Sequence, residues 1–249
     1  MQFAPDILNS TRKPLLGLFL LAMLAGCAEN EFGVEPTRET SAAQKMAELK
    51  VNLKRDPNDG TSLKEIGDMQ AANGQWSQAM GAYREALLVQ PSDRDARLGY
   101  GEGQLAVGDY AGALSTAEKA GGSDIRVLLL RSGALAGLNR LGEARGVLDS
   151  ASAAAPRNLD VRTNIAIVGA LSRDPQAYAI ARAAAFAPDS EYSHRRNLVL
   201  VGGIAGQDAN ARQDGIQLGL GSEEIGDILA VGRRARVQGM AAFGVLAGG

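Results

Sequence analysis

The strongest constraint on this chain is a small motif that returns at a nearly constant interval. In Gly74–Pro91, GQWSQAMGAYREALLVQP, the residues Ala79, Tyr83 and Ala86 follow one another at offsets of four and three, which puts them on one face of a helix. The alanine marker comes back as Ala113, Ala144, Ala177 and, in a weaker copy, Ala211, at intervals of 34, 31, 33 and 34 residues. Helix breakers return with it at Pro57, Pro91, Pro156 and Pro188, since proline has no N–H to give and clashes with the turn before it. A unit of this length holds two helices and a turn, and it cannot bury its apolar face alone. The chain therefore has to stack its units. Composition agrees: 45% of the residues are hydrophobic but only 4% are aromatic, so the apolar content is small and aliphatic, as close-packed helix pairs require. There are 31 glycines, several inside helices, such as Gly99, Gly101 and Gly103. Each costs about 1 kcal/mol there relative to alanine, which predicts that neighbouring helices approach closely at those points.

Position by position, residues 60–91 resemble the tetratricopeptide repeat (TPR). Leu63, Ile66, Gly67, Gln70, Ala79, Tyr83, Ala86 and Pro91 stand where that family has Trp, Leu, Gly, Tyr, Ala, Phe, Ala and Pro. The two aromatics of the first helix are missing. The resemblance implies an all-α fold, a right-handed superhelix of antiparallel helix pairs. The expected organisation is a leading helix over 41–58, four to five repeats over 59–219 and a C-terminal capping helix within 220–249. In that last helix Ser222 is placed as the cap, with Glu223 and Glu224 in the first turn, where the helix dipole favours acids. Its apolar stripe comprises Ile225, Ile228, Leu229, Val231, Met240 and Phe243, and would close the last exposed face of the stack.

Residues 1–26 read as a secretory signal, with Arg12 and Lys13 ahead of the apolar stretch Leu15–Leu24, which is half the length needed to span a membrane. Next comes Leu24-Ala25-Gly26-Cys27, which resembles the bacterial lipobox. That resemblance implies cleavage before Cys27, lipidation of its thiol and acylation of the new amine. Each buried CH₂ adds about 0.8 kcal/mol of membrane affinity, so three chains would anchor the protein firmly. Ala28 stands where related lipoproteins of Gram-negative bacteria carry Asp for inner-membrane retention, which points to the outer membrane, facing the periplasm. Residues 27–40 are polar, contain Pro36 and read as a tether.

No catalytic constellation emerges from the sequence. One Cys and one His exclude an internal disulfide and make a four-ligand structural zinc site untenable, so neither metal nor cofactor is expected. A G-x-S-x-G, an H-E-x-x-H and a P-loop are all absent, and an enzyme is not expected. His194 reads as a surface histidine beside Arg195 and Arg196. The net charge of −2, without a long run of one sign, gives no reason to expect nucleic acid as a partner. What remains is a groove lined by the first helices, suited to a protein segment. Lys64, Arg126, Arg162 and Arg196 are placed along it as a basic stripe favouring an acidic or C-terminal segment. Asn164 and Asn197, in the related runs at 161–169 and 194–202, are candidates for the same groove, with packing between repeats as the plainer reading.

A lipobox followed by four to five repeats resembles the TadD-type lipoproteins of Flp (tight adherence, Tad) pilus assembly. The likeness rests on chain size, on Leu24–Cys27, on the repeats over about 60–218 and on the late Arg195-x-Asn197-Leu198 helix. It implies an outer-membrane-anchored scaffold, pilotin-like in action, whose partners are the secretin or other pilus-assembly components. Pilotins of type IV pili or type II secretion, and TPR lipoprotein adaptors for other envelope proteins, are the alternatives.

Overall fold

A computed structural model describes residues 37–239. Leu24, Ala25, Gly26 and Cys27, the signal they belong to, most of the tether, and Met240 and Phe243 of the terminal stripe lie outside the described residues. Within them there are twelve helices and no strands: α1 (Thr37–Arg55), α2 (Gly60–Ala72), α3 (Trp76–Val89), α4 (Arg94–Ala106), α5 (Tyr110–Ala120), α6 (Ile125–Gly137), α7 (Leu141–Ala154), α8 (Leu159–Leu171), α9 (Ala177–Ala185), α10 (Tyr192–Ala205), α11 (Asp208–Gln217) and α12 (Ser222–Gln238).

The units declare themselves by their caps. Asp59, Asp93, Asp124 and Asn158 each precede the first helix of a unit, and each side chain accepts from a backbone N–H three residues on, at 3.1, 2.9, 3.3 and 2.9 Å. Each first helix ends in a turn that needs one left-handed residue. Gly74 (φ 69°), Gly108 (φ 83°), Asn139 (φ 59°) and Arg173 (φ 62°) fill that place two residues past α2, α4, α6 and α8. In the second helices the five marker alanines, Ala79, Ala113, Ala144, Ala177 and Ala211, are all fully buried.

Layering follows from these contacts. Each first helix (α2, α4, α6, α8, α10) packs on the second helix of its own unit, and from α4 onward on the second helix of the preceding unit; neighbouring first helices also touch. The first helices thus form an inner layer and α3, α5, α7, α9 and α11 an outer one. The second unit is shortened at Gly121-Gly122, where no proline stands. There Arg94 closes the joint: its guanidinium donates to the carbonyls of Ala120 (3.2 Å) and Gly121 (3.0 Å) and pairs with Asp124.

The last helix takes the place of one more first helix, packed mainly on α10. Ile225, Ile228, Leu229 and Val231 are buried, as the stripe requires. Ser222 is the first helical residue rather than the cap; Gly221 holds the cap position and no side chain caps it. At the crossing of α10 and α12 the backbones nearly touch. A Cβ on Gly232 would lie 2.7 Å from the Leu200 carbonyl oxygen, and one on Gly203 would lie 2.9 Å from that of Leu229. Only glycine permits that approach.

Candidate functional site

Counting from the caps aligns the first helices and sorts their side chains by direction. The second, fifth and ninth residues after the cap share the inner row. In the front units this row carries Lys64 and Asp68 on α2, Asp95 and Glu102 on α4, and Arg126 on α6. These charges form a network along the row. Lys64 pairs with Asp68 at 2.8 Å. Arg126 holds Glu102 with two bonds, Nε to Oε1 at 2.7 Å and Nη2 to Oε2 at 2.9 Å, and reaches Asp95 at 3.5 Å. The Tyr83 hydroxyl donates to Asp68 at 2.8 Å. Hydrogen bonding to Glu102 raises the pKa of Arg126, bonding to Asp68 raises that of Lys64, and burial raises that of the Tyr83 phenol. Asp68 and Asp95 keep 47% and 69% of their side chains exposed, so this end of the row is open to solvent.

Further back the row changes character. It reads Leu129 and Gly133 on α6, Asp160, Thr163 and Ile167 on α8, and Ser193, Arg196 and Leu200 on α10, all buried except the half-buried Asp160 and Ser193. Arg196 pairs with Glu224 of α12 at 2.9 Å and lies over the Tyr192 ring, whose hydroxyl donates to Glu224 at 2.6 Å. Of the four cations placed in the groove from the sequence, then, Lys64, Arg126 and Arg196 lie on the inner row, and each already faces a carboxylate of its own chain. Arg162 does not join them. It is the fourth residue after its cap, the place that Leu128 holds in α6, and Leu128 lines an outer cleft of about 320 Å³ between α5 and α7. Asn164 and Asn197 are the sixth after theirs, the place of Gly99 and Leu130. Gly99 faces Tyr83 of the preceding unit, and Leu130 faces Gly101 and Thr116 of the unit before its own. Both asparagines are buried, and Asn164 donates to the Asp160 carbonyl at 2.8 Å. They sit in the seam between repeats, the plainer of the two sequence readings.

His194 is not on the surface. Only 3% of it is exposed. Its Nδ1 accepts from the Glu191 N–H at 2.9 Å, so the ring proton sits on Nε2 and is donated to Asp160 at 3.0 Å. The surface reading fails because the sequence gives no local sign of burial. The partner lies 34 residues away, one repeat back. Both ring nitrogens are engaged, and the pair ties α8 to α10.

This arrangement of units has counterparts among solved structures. A tetratricopeptide repeat protein from Parabacteroides merdae ATCC 43184 superposes with a TM-score of 0.63 at 15% identity, over 79% of this chain and 80% of that one. The fold is that of the TPR proteins. TTC0263, a thermophilic TPR protein of Thermus thermophilus, matches with a TM-score of 0.61 at 19% identity, over 70% of this chain and 99% of that one. In the APC/C hetero-tetramer Cut9–Hcn1 the score is 0.64 at 13% identity, over 84% of this chain but 42% of that one. No family model matches the sequence, and no curated protein matches it. At such identities the likeness carries the TPR fold alone.

Proposed function

We propose that this TPR chain is a lipid-tethered scaffold of the bacterial envelope, anchored through Cys27 in the outer membrane and facing the periplasm, where it holds a secretin or another component during assembly of a Flp (Tad) pilus. The observation that carries the scaffold reading is the open, charged front of the inner face. There Asp68, Asp95, Glu102, Lys64 and Arg126 are held in fixed geometry by three successive first helices. Such a row offers a protein segment charge and hydrogen bonds in a set order, and mixed charge gives selectivity more than raw affinity. The lipobox-like Leu24–Cys27 supports the anchor, and the TadD-type resemblance supports the pilus. Tethering would act by concentration, because a site fixed to the membrane meets a membrane-bound partner at a high effective concentration.

The test tracks secretin multimers in outer-membrane fractions of wild type, a deletion strain and Cys27→Ser. Multimers should vanish in the deletion and fall in Cys27→Ser. Unchanged multimers in both strains would refute the assembly role, and crosslinking from the front row, at Asp95, would then seek another envelope partner.

A further inference from the structure

We infer that the segment held at the front of the inner face is basic, presenting lysine or arginine side chains to Asp68 and Asp95. This rests on the reading of the inner face as the partner site, and it is opposite in sign to the acidic segment expected from the sequence. The starting observation is how completely the two front cations are used. Every nitrogen of the Arg126 guanidinium is engaged: Nε and Nη2 hold Glu102, and Nη1 faces Asp95. Lys64 Nζ lies 2.8 Å from Asp68 Oδ2, and the carboxylates of Asp93 and Asp95 add to the pull on its proton. Arg94, next to Asp93 in the chain, is committed to Asp124 and to the carbonyls of Ala120 and Gly121. An incoming carboxylate would have to take one of these cations from an acid that already holds it.

The acids are not used up in the same way. Four carboxylates, Asp68, Asp93, Asp95 and Glu102, stand at this front against two cations, Lys64 and Arg126, so two negative charges are left over. Glu102 spends both oxygens on Arg126, and Asp93 caps α4 by accepting from the Ala96 N–H. Asp95 is different. Among the described residues its one ion-pair partner is Arg126, at 3.5 Å, the limit of a hydrogen bond, and 69% of its side chain is exposed. Asp68 accepts once on each oxygen, from Tyr83 and from Lys64, and keeps 47% of its side chain exposed. A carboxylate can accept at about four lone-pair sites, so both aspartates have open acceptors facing solvent. An ammonium or guanidinium group is drawn by the excess charge and finds those acceptors; a carboxylate is repelled by it. Complementarity of this kind fixes which partner is admitted and speeds its encounter.

The test uses the full-length chain with Cys27→Ser and two blocked peptides of equal length, one with lysines spaced by Gly-Ser and one with glutamates in their place. Binding is read at low ionic strength from backbone amide shifts over α2, α4 and α6. The lysine peptide should shift Asp68, Asp95 and their neighbours, and the glutamate peptide should not. An exposed ion pair is worth about fivefold in affinity at most, so Asp68→Asn with Asp95→Asn should weaken the lysine peptide about tenfold. Glu223→Gln with Asp227→Asn, which removes two exposed acids from α12, should leave it within about twofold. Circular dichroism checks that both double variants are helical. The inference is overturned if the glutamate peptide takes the front row instead, or if the lysine peptide binds both double variants alike. Shifts from neither peptide at any inner residue would overturn it together with the reading of the inner face as the partner site. No secretin enters the assay, so a failure of the pilus role is read separately, from the multimers.

Discussion

Replacing Gly232 by alanine sets two effects of similar size against each other, and the structure decides the sign. In a helix interior alanine is favoured over glycine by about 1 kcal/mol. At Gly232, however, the added Cβ would meet the Leu200 carbonyl oxygen at 2.7 Å, Gly203 Cα at 2.8 Å and the Gly203 carbonyl carbon at 2.9 Å. All three are backbone atoms and cannot swing away. Restoring ordinary contact near 3.5 Å means moving α12 off α10 by about 0.7 Å, and a gap of 0.5–1 Å forfeits roughly a quarter to a half of each van der Waals contact along the seam. That seam includes Ile225, Ile228, Leu229 and Val231, all buried. Overpacking of this kind typically costs about 1–3 kcal/mol, so the net effect of Gly232→Ala is a loss of up to about 2 kcal/mol. Gly226, in the same helix, has nothing within 4 Å of its Cβ position, so Gly226→Ala should stabilise by about 0.5–1 kcal/mol. At about 2–4 °C per kcal/mol for a domain of this size, the two variants should move the thermal midpoint in opposite directions. Hydrogen exchange over 225–238 should quicken in the first and slow in the second. A Gly232→Ala protein stabilised as much as Gly226→Ala would show that α10 and α12 do not approach as described.

Three further outcomes rest on contacts between helices and on a turn. Tyr83→Phe removes the hydrogen bond to Asp68 and should cost about 1 kcal/mol in urea unfolding at pH 7. Because burial raises the Tyr83 pKa in the folded state, its contribution is complete below the unfolded value of about 10 and is lost as pH rises beyond it; wild type should therefore lose stability above pH 10 more steeply than Tyr83→Phe. His194→Ala leaves the Glu191 N–H and the Asp160 carboxylate without their partner and should cost about 2–4 kcal/mol by chemical unfolding, with no loss of helix content before the transition. Arg173 holds a left-handed conformation that costs a non-glycine residue about 1–2 kcal/mol, so Arg173→Gly should raise the thermal midpoint, whereas Asp174→Gly should not.

The helices and their order are legible in the sequence because the signals that set them are local. Asx caps, left-handed turns and buried alanines each act within one or two turns of chain, and each recurs at the repeat interval. The inner row is less legible. Lys64, Arg126 and Arg196 do lie on it, but the sequence presents them as free cations, since their carboxylates lie on other turns or other helices. Arg162 falls a residue or two out of register because the intervals between units vary from 34 to 31, and a slip of one residue turns a side chain by about 100°. The signal that could have found the pairs is an acid set about one repeat from an arginine or a histidine. Arg94 and Asp124, Asp95 and Arg126, and Asp160 and His194 are 30, 31 and 34 residues apart, and all three pairs join neighbouring units.

The glycine content now has a structural reason that also bears on function. The first helices lack the aromatics of the usual TPR pattern, and side chains from neighbouring helices fill the space instead. Tyr83 lies between α2 and α4, so close that a Cβ on Gly67 or on Gly99 would fall 2.7 and 2.5 Å from its ring. Met80 occupies the corresponding space at Gly103, and Leu105 that at Gly133. Each such glycine gives up about 1 kcal/mol of helix propensity to let a neighbour in. The return is rigidity where it matters, because Tyr83, clamped between two first helices, is the residue that orients Asp68 by its hydroxyl. The open front of the groove is thus held by packing behind it rather than by the exposed ion pairs along it, which in water contribute little. Enlarging Gly99 to alanine should therefore disturb the front row more than deleting the Lys64 charge. A Gly99→Ala protein that binds its partner as wild type does, beside a Lys64→Met protein that does not, would reverse that order.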